Sequence, residues 1–423
     1  MIKIHEKFFC STYEYIYLFV MVIYMAQMTS ETSRMAGNLS GNPIPFLIPI
    51  VLTAILLYRN PINFFHEKLG ILVAIMLCWT VAICYKFHDF SSSNLSFYFF
   101  LFYAIFIAFI HVRVYGNNLF PLYEHIMVVL ATISLVLWGI SIIPAIKSLF
   151  HLFPETYCGN NILYLFHSLD PAIRHAFGFL VRNAGCSWEP GRFAIMLVLA
   201  ILVNLSRKGI SFKNNRNIIL LLLALVTTFS TTGYSITILL YFIFWFDKLE
   251  LKKIFAFFLI VLPCAIFLFS LDFMGGKIQD RANFEKRTKE RIQQINYYEQ
   301  KQSNEYIASL DRFESANFEW MNFQNDPLLG YGRNWDHSWF RKNISANMAL
   351  TGGLVKILSQ YGIIVGTFLY ILLFYSSFKF SIAYSNPHKF ALAVVILFSS
   401  ISYPIFCIPI FTAFWLYGLF YIK

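Results

Sequence analysis

The chain has 423 residues, 58% of them hydrophobic and only 13% charged, with a formal net charge of +11. Average soluble domains carry about twice that share of charged side chains, and a soluble globule must clothe its surface in polar groups. The composition therefore argues against a soluble enzyme or a disordered chain. The basic residues are dispersed between apolar runs rather than gathered in a patch, so a nucleic-acid partner is also not expected.

In lipid every backbone polar group needs an internal partner, so apolar runs near 20 residues predict helices. Twelve such runs are expected: roughly 12–27, 44–58, 69–85, 95–112, 125–146, 191–206, 216–231, 233–246, 252–271, 350–378, 389–403 and 405–421. The fold class expected is an all-α polytopic integral membrane protein. Its parts are spans one to five (1–146), a large outer loop (147–190), spans six to nine (191–271), a second large outer loop (272–347) and the last three spans (348–423). The seventh and eighth spans share the turn Ser230-Thr231-Thr232-Gly233-Tyr234, which suits a hairpin.

The short connections set an orientation. Arg59 and Lys68, Arg113, Arg207 with Lys208, Lys213 and Arg216, then Lys248, Lys252 and Lys253, and finally Lys379 and Lys389 fall on alternate loops. The positive-inside rule makes those loops, and both termini, cytoplasmic. The two large loops then face outward. Cys158 and Cys186 both fall in the first, where an oxidising compartment permits pairing; free thiols are the alternative.

The second loop is close to charge balance, with 11 Lys+Arg and 10 Asp+Glu between Phe273 and Asn347. Within it Tyr306, Leu310, Phe313, Asn317 and Trp320 recur at helical steps, which predicts an amphipathic helix.

Three stretches carry groups capable of chemistry. Arg182-Asn183-Ala184-Gly185-Cys186-Ser187-Trp188-Glu189-Pro190-Gly191-Arg192-Phe193-Ala194 leads from the first outer loop into a span. Pro190 suits the first helical turn, and Glu189 suits either a helix cap at the positive helix end or a chemical role. The arginines fit interfacial anchoring as well as anion binding. The second stretch holds Arg312, Asp326-Pro327, Gly330-Tyr331-Gly332, Arg333 and His337. Its turn residues let the backbone approach a ligand or another segment. The third runs from Asn347 through Lys356 to Tyr361-Gly362-Ile363-Ile364-Val365-Gly366. Gly362 and Gly366 have the spacing of close helix packing, and Lys356 must face a polar cavity or snorkel.

Together these stretches resemble the bacterial O-antigen polymerase (Wzy-type) and O-antigen ligase superfamily. The matching pieces are Arg182, Gly185 and Glu189 to Ala194; Phe229 to Tyr234; Arg312, Trp320 and Asp326 to Gly332; and Asn347 with Tyr361 to Gly366. Their order covers roughly residues 180–370, whereas the first 150 residues match only in hydropathy. The superfamily's ligases carry a His just before the span that follows the second loop. Here the nearest is His337, about ten residues upstream of Asn347, which favours the polymerase.

The resemblance implies a GT-C-like membrane enzyme in the bacterial inner membrane. It would polymerise lipid-linked repeat units of O-antigen or capsular polysaccharide at the periplasmic face. Donor and acceptor would both be glycans on undecaprenyl pyrophosphate, with no cofactor or metal and with a Wzz-type chain-length regulator as a plausible partner. A departing lipid diphosphate develops negative charge, which arginine binds bidentately. Arg182, Arg192, Arg312 and Arg333 are therefore the candidate pyrophosphate ligands. Glu189, with His337 in reserve, is the candidate general base. Tyr331 and Asn347 are candidate substrate contacts, and Tyr297, Tyr298, Trp335 and Trp339 offer stacking faces or interface anchors.

Two rivals share much of this pattern. An O-antigen ligase would pass the glycan to lipid A-core, and its loss would leave the core uncapped. A flippase or transporter for the lipid-linked repeat would instead show related halves and mid-span charge.

Overall fold

The computed structural model describes residues 11–28, 44–143, 182–187, 189–213, 215–246, 290–295, 310, 312–345, 350 and 352–421. In chain order the helices are α1 (Thr12–Met28), α2 (Ile44–Arg59), α3 (Glu67–Phe87), α4 (Ser92–Tyr115), α5 (Leu119–Ser141), α6 (Pro190–Lys208) and α7 (Arg216–Thr227). They continue as α8 (Thr231–Phe246), α9 (Arg312–Asn325), α10 (Trp339–Asn343), α11 (Leu354–Ala383), α12 (Ala391–Ser402), α13 (Pro409–Trp415) and α14 (Tyr417–Phe420).

Among the described residues four helical runs are long and apolar enough to cross a membrane: Glu67–Phe87, Ser92–Ser141, Pro190–Lys208 and Leu354–Ala383. This overturns the expected twelve spans. Five of the expected spans form apolar helices of only 10–17 residues, about 15–26 Å long where the hydrocarbon layer is about 30 Å. The run 405–421 breaks into the short, buried α13 and α14, and the run 252–271 lies outside the described residues. Ser92–Ser141 is itself interrupted at Gly116 (φ 50°, ψ −124°), which separates α4 from α5. With the span count goes the GT-C-like frame, together with the Wzy-type and GT-C labels that depended on it. Several long apolar helices remain, consistent with a multi-span membrane protein.

The interior explains why the apolar count misleads. Helix α6 is buried from Pro190 to Ser206 and packs against α5, α7 and α8. At its far end the Arg207 guanidinium lies 2.7 Å from the Glu124 carboxylate, which also accepts from Asn204 at 2.6 Å. Tyr17 links Thr53 (3.0 Å) and His111 (3.2 Å) across α1, α2 and α4. Phe120 packs its ring 4.6 Å from both Phe380 and Phe414. Much of the apolar and aromatic sequence is thus core, packed around satisfied polar groups.

One break in α11 positions the second loop. Gly362 has φ 69° and ψ 179°, so the helix opens there and frees backbone groups. Residues 327–332 fill the gap: the amides of Tyr331 and Gly332 donate to the carbonyls of Ser359 (2.9 Å) and Gln360 (3.0 Å), and Ile363 donates to Pro327 (2.7 Å). A Cβ on Gly362 would lie 2.1 Å from the Leu328 carbonyl oxygen. Gly362 therefore serves this docking, not the helix-helix spacing expected of Gly362 and Gly366. The Gly330-Tyr331-Gly332 turn approaches another segment.

Helix α9 also departs from expectation. Its buried face is Ser315, Phe318, Glu319 and Asn322, which share one side of a helix, while Trp320 is exposed. That face is partly polar because it bonds to α11 and α10: Ser359 donates to Glu319 at 2.6 Å, and the Phe340 amide donates to Asn322 at 2.8 Å.

Candidate anion-binding site

The segment 182–187 turns tightly over the start of α6. The Asn183 side chain accepts from the Gly185 amide at 2.9 Å, an Asx turn. Gly185 has φ +52°, and a Cβ there would meet the Phe193 ring at 2.4 Å. Pro190 occupies the first helical turn and Glu189 the N-cap position. Glu189 makes no side-chain cap hydrogen bond, so its carboxylate is not engaged as the cap that the sequence allowed.

Arg182 reaches the turn between α7 and α8. Its Nε donates to the Thr228 carbonyl at 3.0 Å and its Nη2 to the Phe229 carbonyl at 2.9 Å. These oxygens end α7, where carbonyls lack helical partners and favour cations. Burial lowers the Arg182 pKa, Glu189 and Tyr403 oppose that, and Arg312 adds to it, so the three lie within its electrostatic reach.

Arg312, the first residue of α9, donates from Nη1 to the hydroxyls of Thr232 (2.7 Å) and Ser402 (2.6 Å). Its Nη2 faces the Tyr403 hydroxyl at 3.3 Å and Glu189 Oε1 at 3.9 Å. Its guanidinium lies 5.1 Å from the Tyr403 ring centroid. Arg192, in the first turn of α6, is 5% exposed and within electrostatic reach of Glu189 and Tyr403. Gly191 permits the assembly, since a Cβ there would lie 3.1 Å from the Tyr403 hydroxyl and 3.2 Å from Arg312 Nη2.

Arg312 thus faces the Glu189 carboxylate at 3.9 Å, with Arg182 and Arg192 within electrostatic reach of the same group. The hydrogen bonds that orient Arg182 and Arg312 go to carbonyls and hydroxyls, which fix geometry without cancelling charge. Arg312 and Glu189 remain about a third exposed, open to a ligand. Such a site can bind a multiply charged anion such as a diphosphate.

The other expected site residues lie elsewhere. Arg333 Nη1 donates to Gln360 at 3.4 Å, beside the docked loop. His337 bonds Asp89 at 2.9 Å and stacks on Phe87 with ring centroids 4.3 Å apart. Burial lowers the His337 pKa against the opposing pull of Asp89. Tyr331 is buried under Trp335, and Lys356 is buried with its Nζ 5.9 Å from the Trp335 ring. Cys186 is buried as well. Asn347, Tyr297, Tyr298 and Cys158 lie outside the described residues.

Sequence reasoning gave no role to Ser402 or Tyr403, and read Thr232 only as part of the 230–234 turn. The available signal was the Ser399-Ser400-Ile401-Ser402-Tyr403-Pro404 run, a polar end on an otherwise apolar helix. No protein-family model matches the chain, and no curated protein matches it.

Proposed function

We propose that the protein polymerises lipid-linked oligosaccharide repeat units. It transfers a growing glycan from undecaprenyl pyrophosphate to a sugar hydroxyl of a second lipid-linked repeat. The observation that carries this reading is Arg312 facing Glu189 at 3.9 Å with Arg182 and Arg192 in electrostatic reach of the same carboxylate, Arg182 and Arg312 being oriented by neutral acceptors. The order of short motifs between residues 180 and 370, resembling the O-antigen polymerase and ligase superfamily, is the second support. The setting that fits is the bacterial inner membrane, with this site on the outer face, both termini cytoplasmic and a chain-length regulator alongside.

In this reaction the acceptor oxygen bonds to the donor's anomeric carbon while the bond from that carbon to the pyrophosphate oxygen breaks. The electron pair leaves with undecaprenyl pyrophosphate, and the arginines stabilise its growing charge. Glu189, half-exposed beside Arg312 and free of capping bonds, takes the acceptor proton.

The test is extension of a defined lipid-linked repeat by purified protein in detergent, where no barrier exists to transport across. Wild-type protein should build a ladder. Arg182→Ala or Arg312→Ala should cut turnover by about 100-fold or more, the scale for losing an oriented charge donor. Ladders of wild-type rate from both variants, or no extension by wild-type protein, would remove this reading.

A further inference from the structure

Tyr403 has no counterpart among the residues that motif reading brings forward, yet it contacts Arg312 and lies within electrostatic reach of Arg182, Arg192 and Glu189. It follows the last residue of α12 in an extended conformation (φ −146°, ψ 142°), so the chain leaves the helix there. Its backbone is wedged against the start of α11, where a Cβ on Gly353 would lie 2.4 Å from the Tyr403 carbonyl oxygen. Its side chain lies against Gly191 at the start of α6. The hydroxyl accepts from Arg312 Nη2 at 3.3 Å and lies within electrostatic reach of the Glu189 carboxylate. Arg182, Arg192, Arg312 and Glu189 are the charged groups within its electrostatic reach.

The spacing around this hydroxyl matters. Arg312 Nη2 and Glu189 Oε1 are 3.9 Å apart, longer than the ~2.7–2.9 Å of a closed guanidinium–carboxylate bond. Both groups are partly exposed. The Tyr403 hydroxyl holds Arg312 Nη2 at 3.3 Å and sits within reach of the Glu189 carboxylate.

We propose that Tyr403 is a positioning residue that keeps Glu189 and Arg312 from closing into an ion pair. Resting on the function proposed above, this leaves the guanidinium edge available to a diphosphate and the carboxylate available to an acceptor proton. Without the hydroxyl, the two groups neutralise each other and the site loses anion affinity while every charged residue is still present.

The test uses Tyr403→Phe, which keeps the ring under Arg312 and removes only the hydroxyl. The probe is inorganic pyrophosphate, titrated by calorimetry against full-length detergent-solubilised protein. Tyr403→Phe should weaken binding by about tenfold, the scale for loss of a charge-coupled hydrogen bond. In a Glu189→Gln background Tyr403→Phe should cause no further loss, because no carboxylate remains there to close on Arg312. That dependence on the carboxylate is the reading a merely structural role would not give. Unchanged affinity in Tyr403→Phe overturns the inference, and so does a further loss in the double variant relative to Glu189→Gln. If wild-type protein binds pyrophosphate in this pattern but never extends a lipid-linked repeat, the polymerase reading fails and the spacer role stands. If wild-type protein does not bind pyrophosphate, the anion site and the inference fail together.

Discussion

The docking of residues 327–332 into α11 makes Gly362→Ala the sharpest test of the architecture. At φ 69° and ψ 179° the backbone occupies a region open essentially to glycine alone, and placing another residue there costs about 1–3 kcal/mol. The new Cβ would also sit 2.1 Å from the Leu328 carbonyl oxygen and 2.4 Å from its carbon, both backbone atoms with little freedom to yield. Relief requires the loop to lift, breaking the bonds Tyr331 to Ser359, Gly332 to Gln360 and Ile363 to Pro327. At about 0.5–1.5 kcal/mol each these add a comparable loss, for ~3–7 kcal/mol in all. An unfolding entropy of about 2.1 cal/mol/K per residue over 423 residues is about 0.9 kcal/mol/K. The expected fall in Tm is therefore about 3–8 °C, read by differential scanning fluorimetry in detergent. Protease cleavage near Leu328 should appear at the same time. Gly139→Ala, where no atom lies within 4 Å of the added carbon, is the control and should not move the transition. A Gly362→Ala protein that melts within a degree of wild type would show that the loop is not seated in the helix.

Two further outcomes follow from the polar contacts. Burial holds the His337 pKa below its usual value, so the unfolded chain binds a proton at higher pH than the folded one. Stability should then fall as pH drops below about 6.5, and His337→Gln should flatten that fall; identical pH–Tm slopes for the two proteins would reject the reading. The Asp89 carboxyl is depressed by its hydrogen bonds to Ser91 and His337, so its own contribution is lost only at more acid pH. Glu124→Ala should destabilise by about 3–5 kcal/mol, since it removes the carboxylate paired with the largely buried Arg207 and one of the acceptors of Asn204. Thermal melts of the purified variant measure this, and a Tm equal to wild type would refute it.

The helices themselves were legible in hydropathy. The run expected at 69–85 is Glu67–Phe87, and the run expected at 191–206 is Pro190–Lys208. Their number as spans was not, because hydropathy reads local composition and cannot see where a helix stops. Gly116 and Gly362 open the backbone within long apolar stretches, and the 405–421 run divides around Leu416. The arginine cluster was legible in part. Arg182, Glu189 and Arg192 are near neighbours in sequence, and Arg312 opened the second of the three candidate stretches. Their convergence depends on α9 lying over α11 and on the end of α12, contacts with no local signature. Tyr403, 91 residues beyond Arg312, was invisible for that reason. Arg333 and His337 share a loop with Arg312, yet the docked turn directs them toward Gln360 and Asp89.

That turn also explains why Arg312 sits where it does. Ser359 donates its hydroxyl to Glu319 of α9 while its carbonyl accepts from Tyr331 of the docked loop. One residue of α11, three positions before the break at Gly362, therefore fixes both the helix that begins with Arg312 and the loop that follows it. Gly352 brings the backbone before α11 against Ala316, so a Cβ there would lie 3.1 Å from the Ala316 amide nitrogen. Helix α9 is clamped near its first turn as well as along its buried face. Its first residue is held above Thr232 and Ser402 by a rigid lever, not by the short reach of one side chain. A lesion at Gly362 should therefore be felt at the guanidinium cluster, even though no atom of Gly362 belongs to it.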